Sequence, residues 1–152
     1  MQVRKAQRAD VPTILELIKG LADYEKEPDE VINTVEDLAQ ALFDDQLCEA
    51  LVVEQDGLII GFALFYTSYS TWKGPCIYLE DLYILPEHRQ FGGGSALFDA
   101  VVGIARERKV ARMDWQVLDW NEPAIRFYEK KGARIDTNWY NGRLFFDQRA
   151  TE

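Results

Sequence analysis

The alternation of apolar and polar residues along this 152-residue chain predicts a succession of strands and helices. Val3 to Ala6 reads as a short strand. Asp10 is placed to N-cap a helix that carries Ile14, Leu17, Ile18 and Leu21 on one face, with Pro12 in its first turn. After the acidic stretch Asp23 to Glu30, Thr34 and Asp37 have capping-box spacing and open a short helix with Leu38, Ala41 and Leu42 inward. Ala50 to Glu54 and Leu58 to Tyr69 alternate as strands around the hairpin turn Gln55-Asp56-Gly57. A second turn, Ser70 to Pro75, leads into a strand from Ile77 to Leu85, which Pro86 closes.

In the second half, three glycines precede a helix that runs to about Lys109 with Leu97, Val101, Ile104 and Ala105 on its inner face. Met113 to Leu118 reads as the next strand. Asn121 caps a further helix, with Glu122 and Pro123 in its first turn, Ile125, Phe127 and Tyr128 along it, and Gly132 at its end. Ala133 to Asn138 and Arg143 to Asp147 predict a final hairpin around Asn141-Gly142. No repeat, linker or low-complexity segment interrupts the series, so a single domain over residues 1–152 is expected.

Composition narrows the chemistry. With 47% hydrophobic residues, 12% of all residues being aromatic, the chain can fill one substantial core. Cys48 and Cys76 are too few and too far apart for a disulfide framework, and His88, the single histidine, has no partner for a zinc site, so no metal is expected. The N-terminus lacks the apolar run of a signal peptide, and no stretch nears the ~20 apolar residues that span a bilayer, so a soluble cytoplasmic protein without a membrane partner is expected. A net charge of −9 argues against nucleic acid, which is bound through clustered Lys and Arg. The same charge would draw in a small cation, although acidity also serves solubility alone.

The most informative passage runs from Tyr78-Leu-Glu-Asp-Leu-Tyr-Ile-Leu85 into Arg89-Gln-Phe-Gly-Gly-Gly-Ser-Ala96 and then into a helix. Glycines let a backbone approach an anion without Cβ atoms in the way, and a helix N-terminus offers free N–H groups. On the letters alone, the segment serves either a pyrophosphate or a tight chain reversal. A P-loop is excluded, because Ser95-Ala96 stands where Lys followed by Ser or Thr is required. A dinucleotide fingerprint fits poorly: Leu97 stands where a third small residue belongs, and Asp114 lies near the start of its strand.

The spacing Arg89-x-x-Gly92-x-Gly94 within this order of elements resembles the GNAT superfamily of N-acetyltransferases over the whole chain. Leu21-Ala-Asp-Tyr-Glu25, Tyr78-Leu-Glu-Asp81, Arg89-Gln-Phe-Gly-Gly-Gly-Ser95 and Trp120-Asn-Glu-Pro-Ala-Ile-Arg-Phe-Tyr128 further resemble its diamine (spermidine/spermine) and thialysine acetyltransferase branch. The resemblance implies an α+β (α/β layered) fold: a mixed, mostly antiparallel central sheet of about seven strands, splayed at a bulge in the fourth and flanked by about four helices. It implies acetyl-CoA as co-substrate and a homodimer.

By the same resemblance, the backbone of Leu82, Tyr83 and Ile84 would pair with the pantetheine arm and polarise the thioester carbonyl. Gln90, Phe91, Gly92, Gly93, Gly94 and Ser95 would cradle the pyrophosphate, with Arg89 at the basic position of the motif. Asn121, Glu122, Pro123 and Ala124 would contact the cofactor, and Tyr128 would be the general acid that protonates the departing thiolate. Asn121 as a bare letter is also an ordinary helix cap, and Tyr128 beside Phe127 an ordinary packing residue.

An acceptor ammonium ion has three donors and calls for carboxylates. Tyr24, Glu25, Glu80 and Asp81 match the acceptor-side stretches, with Glu80 taking the amine proton through water. Adjacent residues in a strand face opposite sides, so Glu80 and Asp81 converge only if a bulge turns them. Ser70 and Tyr140-Asn141 stand where the polyamine enzymes carry acidic residues. A shorter diamine, a thialysine-like amino acid or another primary amine is therefore as much expected as a long polyamine. A catalytically idle acyl-CoA-binding module and a nucleotide-binding oxidoreductase are the competing classes.

Overall fold

A computed structural model describes residues 1–147. The chain falls into two compact units, residues 1–116 and the residues from 117 onward.

The first unit is built on a five-stranded mixed sheet in the order β1 (Gln2–Lys5), β2 (Glu49–Gln55), β3 (Leu58–Ser70), β4 (Gly74–Ile84) and β5 (Met113–Asp114). The pairs from β1 to β4 are antiparallel, and β4 with β5 is parallel. The β2–β3 turn is tight because Asp56 and Gly57 both take positive φ, 53° and 78°, which matches the right-handed twist of the strands it joins.

Helix α1 (Val11–Tyr24) and the short α2 (Val35–Ala39) cover one face of the sheet. Val11, Ile14, Leu15, Leu17, Leu38 and Leu42 pack there with Ala50, Val52, Phe62, Leu64 and Tyr83. Strand alternation puts the remaining apolar set, Leu51, Val53, Ala63 and Phe65, on the opposite face, and these are buried as well. Helix α3 (Gly93–Glu107) contacts β1 to β4 and buries Leu97, Phe98, Val101 and Ala105. Burying each such large side chain contributes roughly 1.5–3 kcal/mol.

The caps follow local chemistry in two of three predicted places. Thr34 Oγ1 accepts from Asp37 N–H at 3.1 Å, as its spacing predicts, and α2 then loosens into a π-helical turn over Gln40–Asp44. Asp10 does not cap α1. Arg4 donates to both of its carboxylate oxygens, at 2.7 and 3.1 Å, and Gln7 N–H donates at 2.7 Å, so a cation on β1 takes the group the local sequence assigns to the helix.

The pairing of β3 with β4 slips by one residue. Leu64 lies opposite Asp81 and Phe65 opposite Leu79, leaving Glu80 as the extra residue on β4. Pairing of β4 with β5 is confined to Ile77–Met113 and Tyr78–Asp114, just before that point.

In the second unit, α4 (Glu122–Lys130) begins where predicted: Asn121 Oδ1 accepts from Ala124 N–H at 3.3 Å. It ends at Lys130, two residues before Gly132, whose φ is 92°. Two strand expectations fail among the described residues. The strand predicted over 113–118 is only two residues long, and neither 133–138 nor 143–147 forms a strand, so the sheet has five strands rather than seven. The alternation in 133–147 supplies suitable side chains, but strand preference depends on cross-strand context that periodicity does not encode.

Candidate active site

The slip at Glu80 brings together the carboxylates that strict alternation would separate. Asp81 is half-buried and pushed up to about 7, by burial first, then by the charges of Glu80 and Glu25. Glu25, the residue that follows α1, is raised by burial and by Glu80. Three carboxylates from two elements thus lie within one another's field. Ionisation of Glu25 and Asp81 is thereby disfavoured, and a cation beside them would relieve it.

Tyr66 on β3 completes this corner. Its hydroxyl donates to Glu80 Oε1 at 3.3 Å, and its ring stacks on Tyr78 with centroids 5.4 Å apart. Burial and Glu80 together hold the Tyr66 phenol protonated above its ordinary range. The half-buried Cys48 thiol is also raised, by burial, Glu49 and Glu80, which makes it an unreactive neighbour. The sequence motifs pass over Tyr66 and include Tyr78 only as a letter without a role. The β3–β4 turn register, which sets them opposite each other, was the signal available.

Tyr24, the last residue of α1, is 37% exposed beside Glu25. The Arg89 guanidinium lies over its ring at 4.9 Å and over the buried Tyr83 ring at 5.4 Å, while Arg89 Nε donates to the Ile84 carbonyl at 2.9 Å. Helix α1 admits the Tyr83 ring because residue 20 is glycine: a Cβ there would sit 2.9 Å from the Tyr83 hydroxyl.

The glycine turn follows directly. Gln90 takes φ 72°, a left-handed conformation that costs a non-glycine residue energy and clusters at functional sites. Gly92, the N-cap of α3, takes φ 91°, which only glycine adopts freely. The first intrahelical bond runs from Ala96 N–H to Gly92 C=O at 3.0 Å, so the preceding N–H groups lie outside the helical ladder. A Cβ on Gly94 would meet nothing nearer than Ile84 Cγ1 at 3.8 Å. Backbone N–H groups at a helix start, with open space beside Gly94, are features that favour an anion.

The second unit carries Asn121, Glu122, Pro123, Ala124 and Tyr128 on one short helix and its cap. Asn121 and Tyr128 are seven residues apart, about two turns, and so share a helix face. Tyr128 is buried, and its ring meets that of Phe127 edge-on at 5.3 Å.

A pocket of about 410 Å³ opens at the β1–β2 end of the sheet, lined by Lys5, Leu42, Phe43, Cys48, Glu49 and Ile104 among others. None of the predicted site residues lines it. Among the described residues no His, Cys, Asp and Glu cluster has metal-site geometry, and no helix is long and apolar enough to cross a membrane.

Comparison with known proteins agrees with this geometry. The family model described as "Acetyltransferase (GNAT) family" matches residues 13–133. The thialysine N-epsilon-acetyltransferase of Bos taurus is 38% identical over 143 residues, covering 88% of this chain and 84% of that protein. The spermidine/spermine N(1)-acetyltransferase-like protein 1 of Homo sapiens is 34% identical over 140 residues, covering 87% of this chain and 20% of that one. In structure, a ribosomal-protein-alanine N-acetyltransferase from Brucella melitensis superimposes with a TM-score of 0.75 at 23% identity, over 94% of this chain and 99% of the other. The family match over most of the chain, a mixed sheet slipped at Glu80 and a glycine turn opening α3 lead to one conclusion: the chain belongs to the GNAT family of acetyltransferases.

Proposed function

We propose that the protein transfers the acetyl group of acetyl-CoA directly to the primary amine of a small cationic acceptor, a diamine or a thialysine-like amino acid. The observation that carries this reading is the register slip that leaves Glu80 as the extra residue of β4 beside Asp81, with Glu80 held by the Tyr66 hydroxyl and its charge acting on Glu25 and Asp81. An ammonium ion supplies the countercharge the cluster lacks. Ser70 uses its hydroxyl to accept from the N–H groups of Trp72 and Lys73 at 3.2 and 3.1 Å, and so adds no charge for a longer polycation.

In the proposed reaction the N–H groups of Gln90 to Ser95 hold the pyrophosphate, and the backbone of Leu82, Tyr83 and Ile84 pairs with the pantetheine arm. The register slip at Glu80 is the bulge that would splay β4 for that arm, a reading supported by the end of β4–β5 pairing at Tyr78. Asn121 to Ala124 contact the cofactor. Glu80 takes a proton from the ammonium through water and the free amine attacks the thioester carbon; Tyr128 protonates the thiolate as the C–S bond breaks, and the second proton leaving the nitrogen passes to water, from which Tyr128 is reprotonated. Asp81 is a second candidate base, because a group titrating near 7 is matched to proton transfer at neutral pH. We propose a cytoplasmic homodimer. Its association is supported by the exposed side chains of Trp139, Tyr140, Leu144 and Phe146.

The test is thiol release from acetyl-CoA with a panel of amines, repeated with Glu25→Gln and Glu80→Gln. Glu25→Gln should raise KM for the best amine more than it lowers kcat, and Glu80→Gln should chiefly lower kcat. Wild-type efficiency in both variants would place the acceptor elsewhere. CoA binding without turnover of any amine would favour an idle binding module.

A further inference from the structure

Arg89 stands at the basic position of the glycine-turn motif, yet its guanidinium is already engaged. The Leu85 N–H donates to Ile60 O at 2.9 Å, so the Ile84 carbonyl of the same peptide unit points away from β3, and that carbonyl accepts from Arg89 Nε. The planar cation is also held over two rings, Tyr83 from the core of the sheet and Tyr24 from the end of α1. A cation near a helix C-terminus is favoured by the helix dipole as well. Tyr24 is the exposed partner of the two, and Glu25 follows it directly.

Resting on the acetyl-transfer reading above, we infer that Arg89 is a positioning residue for the acceptor: it pins Tyr24, and with it Glu25, to the end of β4. Residues 90–95 form the turn immediately after Arg89, so occupation of the turn and the order of the acceptor wall are mechanically joined. Cofactor bound at the turn would hold Arg89 in place. Arg89 in turn would hold the two acceptor-side residues.

Arg89→Met keeps the aliphatic stem and removes the cation and the Nε donor, while Arg89→Lys keeps a charge without the planar face. Folding is checked by thermal melt. For Arg89→Met, KM for the best amine should rise about three- to tenfold, the range of a cation–π contact, while the dissociation constant for CoA stays within about twofold. Arg89→Lys should fall between wild type and Arg89→Met. In a Tyr24→Leu background, Arg89→Met should leave KM unchanged, because the residue it acts through is gone.

A second readout does not depend on turnover. The amides of Glu25, Lys26 and Glu27, which donate to Leu21, Asp23 and Ala22, should exchange with solvent faster in Arg89→Met. A CoA dissociation constant weakened about tenfold or more, with amine KM and amide exchange unchanged, would make Arg89 a phosphate ligand and overturn the inference. Additive effects of Arg89→Met and Tyr24→Leu would overturn it too. Were no amine acetylated by the wild type, the proposed function would fail, and unchanged exchange would still be needed to dismiss the Arg89 clamp.

Discussion

At the scale of single residues, the chemistry turns on groups whose neighbours set their charge. Asp81 has a folded pKa of about 7 against an ordinary value of 3.8. A raised carboxylate contributes stability that is complete below its unfolded pKa and is lost as pH climbs through the folded value. Asp81→Asn should therefore match wild type near pH 4 and be the more stable protein at pH 8, by up to about 4 kcal/mol at 1.36 kcal/mol per unit. Urea unfolding at both pH values measures this. Parallel pH profiles would show that Asp81 does not titrate as described. Tyr128→Phe removes only a hydroxyl, so CoA binding should survive and kcat should fall by roughly 10²–10⁴-fold, the span of a lost acid–base group. A fall smaller than about threefold, under 1 kcal/mol of barrier, would leave thiolate protonation to solvent. Most candidate residues were legible as motif letters. The convergence of Glu80 and Asp81 was legible only as a condition, because alternation separates neighbours and the one-residue slip depends on how β3 pairs with β4. The Arg89 clamp was not legible at all: its partner Tyr24 lies on another element, far away in sequence, and no local spacing encodes that contact.

At the scale of elements, periodicity found α1, α3, α4 and the strands β1 to β4, because each has a continuous apolar face with a cap or turn beside it. It overran at β5, which stops at Asp114 although Gln116 to Leu118 have strand-like letters, and at residues 133–147, because alternation does not encode which strand a segment pairs with. Asp10 shows the converse error, an acceptor suited to a cap that Arg4 claims first. The glycine turn carries the element-level prediction. Gly94→Glu should fold, since the position has room for a Cβ, and should abolish CoA binding by placing a carboxylate where a pyrophosphate belongs. Calorimetric titration with CoA decides it. Unchanged affinity in the folded variant would remove the turn from the cofactor site.

For the whole molecule, charge and exposure set the expectations. A chain of net charge −9 binds an anionic cofactor only if local N–H donors outweigh the distant field, which salt screens over about 8 Å at physiological ionic strength. CoA affinity should therefore rise slightly with added salt, while affinity for a cationic amine should fall. The exposed side chains of Trp139, Leu144 and Phe146 carry the association prediction. Sedimentation equilibrium should give a dimer, and Trp139→Ser with Phe146→Ser should weaken it; a wild-type monomer at all concentrations would refute the assembly. If the carboxylate corner selects a small cationic amine for acetylation, a second positive charge on the acceptor should be read there. The most direct measurement of that selection is mass-spectrometric detection of product, with acetyl-CoA and matched acceptors that differ only in a second positive charge. The dicationic acceptor should be N-acetylated at a kcat/KM about ten- to a hundredfold above the monocation, the equivalent of one desolvated ion pair. Equal acetylation of the two, or none of either, would contradict it.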